Sequence, residues 1–131
     1  MVIDPYATIR AAALSLSNRG IGLAVVCEGD GRAVGVLSKS DLVRYLTLPE
    51  ALEPSVSALM SQPFVFCAPE DDVHTVWQTM AARGLQSVPV LNDYSKPVGV
   101  LDIRDAMKVL IEQEELQEHM LVNYIAGVGY R

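Results

Sequence analysis

Residues 33–41 read AVGVLSKSD and residues 97–105 read PVGVLDIRD. The two phrases lie 64 positions apart, and the chain aligns with itself at that offset from Ile3 to Lys108 without a gap. Identities fall at Pro5/Pro69, Arg19/Arg83, Gly20/Gly84, Val26/Val90, Val34/Val98, Gly35/Gly99, Val36/Val100, Leu37/Leu101 and Asp41/Asp105. A unit of about 45 residues buries too little surface to hold a stable core alone. The repeat therefore demands that two like halves pack on each other.

The apolar spacing of each half gives its elements. Ile9, Ala12, Ala13 and Leu16, and again Val73, Val76, Trp77 and Met80, follow the i, i+3, i+4, i+7 spacing of one helix face. Thr8 and Asp72 precede these sets as N-caps, and Gly20 and Gly84 follow them where a left-handed residue ends a helix. The runs IGLAVVC (21–27) and LQSVPVL (85–91) read as strands. The turn sequences EGDGR and NDYSK join them to a second strand, VGVL, in an antiparallel hairpin. Ser38 or Asp102 then opens a second helix. A short strand, Met1–Ile3 or Phe64–Cys67, precedes each copy. The expected fold is α+β: two tandem β-α-β-β-α units related by a pseudo-two-fold axis. The first unit with its linker takes residues 1–58 and the second, with a C-terminal helix, 59–131. The connection over 46–63 carries three prolines and a short helix, SVSALM.

Half of the 131 residues are hydrophobic and 20% are charged, a globular balance. The net charge of −6 argues against a general nucleic-acid or anionic-membrane surface. No apolar run approaches the ~18 residues of a membrane span, and the N-terminus lacks the pattern of a signal peptide. Cys27 and Cys67 make no metal motif, and both sit in apolar strand-like segments as buried thiols suited to a reducing cytoplasm. There is no Ser-His-Asp order, P-loop or HExxH, and no carboxylates are placed as an acid–base pair.

The two G-h-h-[S/T]-x-x-D phrases, each following a helix and a hairpin, resemble a pair of CBS domains. The ending HMLVNYIAGVGYR and the linker SVSALM are similar to small stand-alone bacterial members of that family. The resemblance implies a non-catalytic regulatory module. Such a module binds an adenosine-containing ligand (AMP, ATP, NAD(H) or S-adenosylmethionine) between its units, needs no cofactor, and dimerises. AMP is the favoured ligand. With no catalytic domain attached, regulation would act on a protein target in trans, or the module would serve as a buffer or sensor of nucleotides.

Each singled-out residue carries a plain structural role beside the implied one. Gly35 and Gly99 permit close approach of a ligand, or of another strand. Ser38 caps a helix, and the same helix start suits a phosphate. Asp41 and Asp105 are favourable first-turn charges, and in the resemblance they accept hydrogen bonds from ribose hydroxyls. Ile21, Gly22, Leu23 and Ala24, with Ser87, Val88 and Pro89, match positions that flank adenine in the family, or pack as ordinary strand residues. Lys39 and Arg104 are the basic residues beside the two aspartates. His74 and His119 read as surface residues, EQEELQE (112–118) as a solvated helix face, and Leu116, Met120 and Tyr124 as core or dimer contacts.

The sixth letter of the phrase separates the copies. Asp102 puts a carboxylate where a phosphate oxygen would approach. Unit charges ~5 Å apart at an effective dielectric near 20 repel by roughly 3 kcal/mol. A phosphorylated ligand should therefore favour the Ser38/Asp41 half, with the Asp102/Asp105 half empty or holding a ligand without phosphate. The opposing readings are a structural dimeric adaptor with degenerate clefts, and a small hydrolase, which the missing nucleophile and base disfavour. Helix patches such as Val76, Trp77 and Met80 are the expected dimer surface.

Overall fold

The computed structural model describes residues 1–18, 21–47 and 55–125, with side chains through residue 114. Within that range the chain runs β1 (Val2–Ile3), α1 (Ile9–Leu16), β2 (Leu23–Cys27), β3 (Ala33–Ser38), α2 (Lys39–Tyr45), α3 (Val56–Leu59), α4 (Val73–Arg83), β4 (Ser87–Leu91), β5 (Pro97–Asp102) and α5 (Ile103–Ile125). The fold is α+β, as expected.

The repeat extends to the hydrogen-bond register. Leu23 faces Ser38 and Val26 faces Gly35 in the first hairpin; Ser87 faces Asp102 and Val90 faces Gly99 in the second. A bulge follows at the same place in each, at Val26/Cys27 and Val90/Leu91. β1 joins β2 in parallel, with Ile3 opposite Val26. Its counterpart does not form the strand expected over Phe64–Cys67. Only Cys67 pairs, its N–H donating to the Pro89 carbonyl and its carbonyl accepting from the Leu91 N–H. The residues before it turn aside, and Phe64 and Val65 line a cleft instead.

Capping follows the sequence. The Thr8 hydroxyl accepts from the Ala11 N–H at 3.1 Å, and the Asp72 carboxylate from the Thr75 N–H at 3.0 Å. Gly84 closes α4 in the left-handed region, with φ 65°. Arg19 and Gly20, the matching residues of the first copy, lie outside the described residues.

Each helix lays its apolar face on its own sheet. The first core gathers Ile9, Ala12, Leu16, Ala24, Val26 and Leu37, and α3 adds Val56 and Leu59. The second is smaller: Cys67, Met80 and Val88 are buried, with Val76, Leu85, Val90, Leu101 and Ile103 packed around them. Met80 is therefore core and not dimer surface, because α4 turns it onto β4. Val76 is half-buried against the same core. Cys27 and Cys67 are both buried free thiols, and burial pushes both up from the usual thiol range. Among the described residues no helix is long and apolar enough to cross a membrane.

Candidate functional site

The two units meet along β2 and β4. Gly22 faces Ser87, where an added Cβ would stand 2.8 Å from the Ser87 hydroxyl oxygen. Beside this contact opens a cleft of about 1000 Å³, walled by both copies. Ile21, Leu23 and Val36 contribute apolar surface from the first unit and Pro89 from the second. The helix starts at Ser38 and Asp102 both reach it.

Sequence equivalence breaks down at the two helix starts. In the first, Ser38 and Asp41 form a capping box. Asp41 Oδ2 accepts from the Ser38 N–H at 2.8 Å and the Ser38 hydroxyl at 3.1 Å. Its Oδ1 accepts from Arg44 Nη2 at 3.2 Å and the Ser61 hydroxyl at 3.3 Å. Arg44 is tied in turn to the Leu59 carbonyl at 3.1 Å. The Asp41 carboxylate, 5% exposed, lies at the cleft wall with about four lone-pair positions already used.

The second start is built otherwise. Asp102 accepts from the Arg104 N–H at 2.8 Å and from Arg104 Nε and Nη2 at 3.1 and 3.4 Å. The Arg104 hydrogen bond holds the Asp102 carboxyl below the usual carboxylate range, against an opposing push from burial. The same pairing raises Arg104.

Of the residues singled out from sequence, Ile21, Gly22, Leu23, Ser38, Lys39, Asp41, Ser87, Pro89 and Arg104 line the cleft. Four do not. Ala24 and Val88 point to the opposite face of their strands and are fully buried in the two cores. Gly35 is packed under Met60, whose sulfur would lie 2.5 Å from an added Cβ. Asp105 is exposed in the first turn of α5 and faces away from the cleft, which leaves Asp102 as the carboxylate that unit presents. Gly99 is exposed with open space beside it.

The structure also brings in Ser61, Phe64, Arg83 and Gln86. Arg83 was visible as an identity of the repeat, without any sign of its direction. The other three had no signal in the sequence. Among the described residues Lys39 and Arg83 form no ion pair, whereas Arg104 is engaged by Asp102. The cleft thus has one uncommitted cation from each unit. His74 is exposed, with its ring 6.2 Å from that of Trp77 and away from the cleft. His119 and the side chains of Leu116, Met120 and Tyr124 lie outside the described residues.

The family model for the CBS domain matches residues 1–48 and 56–112. The chain belongs to the CBS domain family. A curated relative from Acidianus ambivalens is 23% identical over 128 residues, with 98% of this chain and 77% of that protein covered. A matching stretch also occurs inside a larger protein. The A-adding tRNA nucleotidyltransferase of Aquifex aeolicus is 30% identical over 116 residues, which cover 86% of this chain and 14% of the enzyme. Among solved structures, a CBS domain protein from Pyrobaculum aerophilum complexed with AMP is 31% identical, with a TM-score of 0.70 over 80% of this chain and 81% of that one.

Proposed function

We propose that this CBS pair is a regulatory sensor, not a catalyst, and that it binds an adenosine-containing ligand in the cleft between its units. The observation that carries the reading is the pair of uncommitted cations, Lys39 and Arg83, facing one cleft from opposite units. A phosphate between them would be drawn from both sides and would report on the relation of the units. The apolar wall of Ile21, Leu23, Val36 and Pro89 suits a purine ring. The ribose belongs at Asp41, where its hydroxyls exchange with the Ser61 hydroxyl, one of the two longest bonds to that carboxylate. Asp102, fronting the other half of the cleft, disfavours a phosphate there.

AMP is the favoured ligand, in keeping with the AMP complex of the Pyrobaculum relative. The module is proposed to act as a homodimer in the cytoplasm on a protein target in trans. Mass spectrometry of small molecules released from purified protein tests the ligand class. Titration calorimetry with AMP, ATP, NADH and S-adenosylmethionine ranks its members. Adenosine compounds absent from the protein and silent in all four titrations would defeat the reading. A second reading, a structural adaptor, is favoured by one observation: all acceptor positions of Asp41 are satisfied within the protein. It requires those titrations to be silent.

A further inference from the structure

Ser61 has a fixed backbone and a lightly held side chain. Its N–H donates to the Val36 carbonyl at 2.8 Å, and its carbonyl accepts from the Val36 N–H at 3.2 Å, which closes the β3 edge. Its hydroxyl donates to Asp41 Oδ1 at 3.3 Å and has no other hydrogen bond among the described residues. Ser61 is half-buried and lines the cleft. Rotation about one side-chain torsion therefore vacates an acceptor position on Asp41 and leaves the strand edge intact. The released hydroxyl meets the water of the open cleft.

Arg44 holds the same carboxylate oxygen from outside the cleft. It lies three residues beyond Asp41 on α2 and is not among the residues that line the cleft. One nitrogen, Nη2, donates to Asp41 Oδ1 at 3.2 Å and to the Leu59 carbonyl at 3.1 Å. Leu59 is buried in the first core, so its carbonyl is a fixed anchor. Leu59, Met60 and Ser61 are consecutive, and with Asp41 and Arg44 they close a ring. Asp41 Oδ2 is committed to the Ser38 N–H and hydroxyl. With Ser61 turned away, Ser38 and Arg44 still orient the carboxylate.

The repeat supplies a contrast. Lys108 follows Asp105 by three residues, as Arg44 follows Asp41, yet Lys108 and Asp105 form no ion pair with each other. A basic residue at this spacing is not sufficient. What the first unit adds is the Leu59 carbonyl, a second acceptor that draws the guanidinium to the carboxylate.

We infer that the Ser61 hydroxyl is a built-in stand-in for a ribose hydroxyl, and that Arg44 is the positioning residue that keeps Asp41 aimed when Ser61 is displaced. Together they set the selectivity of the site for a ribonucleotide over its deoxy counterpart. The inference rests on the cleft reading above. Titration calorimetry with AMP and its 2′,3′-dideoxy analogue tests it. The parent protein should prefer AMP. The Arg44 side chain is 59% exposed, so folding survives its replacement. Arg44→Met should weaken AMP about three- to tenfold, the worth of one hydrogen bond, and leave the analogue unchanged. Arg44→Lys should hold AMP affinity within about twofold of the parent, because a single nitrogen makes both bonds and an ammonium can replace it. Ser61→Ala removes the competing hydroxyl and should tighten AMP about two- to fivefold, again without effect on the analogue. Arg44→Met that leaves AMP unchanged or weakens both ligands alike overturns the inference, as does weaker AMP binding by Ser61→Ala. A parent that binds both ligands alike also overturns it while the cleft reading stands. A parent that binds neither defeats the cleft reading as well.

Discussion

Asp41→Ala and Asp105→Ala remove matching letters of the repeat, yet they should differ sharply in stability. At position 41 the substitution strips the acceptor from the Ser38 N–H and from the Ser38 and Ser61 hydroxyls in a part-buried setting. Loss of half a capping box costs about 1 kcal/mol, and leaving a buried donor unpaired costs at least about another. The ion pair with Arg44 adds little, because the Arg44 side chain is 59% exposed. The sum is about 2 kcal/mol, or a fall of about 8 °C in melting temperature for a chain of this size. Asp105 is exposed in the first turn of a helix, where a charge contributes no more than about 0.5 kcal/mol. Its removal should lower the melting temperature by about 2 °C or less. Calorimetric melts of both variants without ligand make the comparison. Shifts equal within 2 °C would refute the reasoning, since they would mean that Asp41 is not the hub the geometry describes.

Lys39→Gln and Arg83→Gln should each weaken AMP binding about five- to tenfold while leaving adenosine binding unchanged, measured by titration calorimetry at fixed salt. Asp102→Asn releases Arg104 and removes the carboxylate from the cleft, so AMP affinity should rise several-fold in the same assay. Asp102 is depressed in the folded state, so its contribution to stability is present above the unfolded carboxylate range near pH 4 and is lost as pH falls through its lower folded value. Urea midpoints taken from pH 5 to pH 2.5 should therefore fall less steeply for Asp102→Asn than for the parent protein. Met80→Ala empties a fully buried site in the smaller core and should cost about 2–5 kcal/mol, read from urea denaturation.

The elements were legible because their causes are local. Thr8 and Asp72 announce helix starts by side chains that reach only three residues ahead, and Gly84 ends α4 by its own backbone freedom. The hairpins and the fold followed from period and turn chemistry, doubled by the repeat. What stayed hidden depends on which face a strand turns and on what lies across it. Ala24 and Val88 sit between cleft residues in sequence, and strand alternation sends them into the cores. Arg83 and Lys39 are 44 positions apart and share a cleft only because β2 and β4 pack together.

The repeat itself misled where the partners of a residue come from outside its own unit. Gly35 and Gly99 are the same letter in the same register, but one lies beneath Met60 and the other faces open space. Asp41 and Asp105 diverge for the same reason. Ser61 reaches Asp41 from the segment that leads into the second unit, and the described residues supply nothing of the kind to Asp105. Duplication of a sequence copies backbone register and capping faithfully, because both are carried inside the repeated stretch. It does not copy the segment between the copies. Here that segment closes an edge, fills a core and holds a carboxylate for the first unit alone. The inequality of the two half-sites therefore begins with the linker over 55–61, and the Ser38/Asp102 difference acts on top of it.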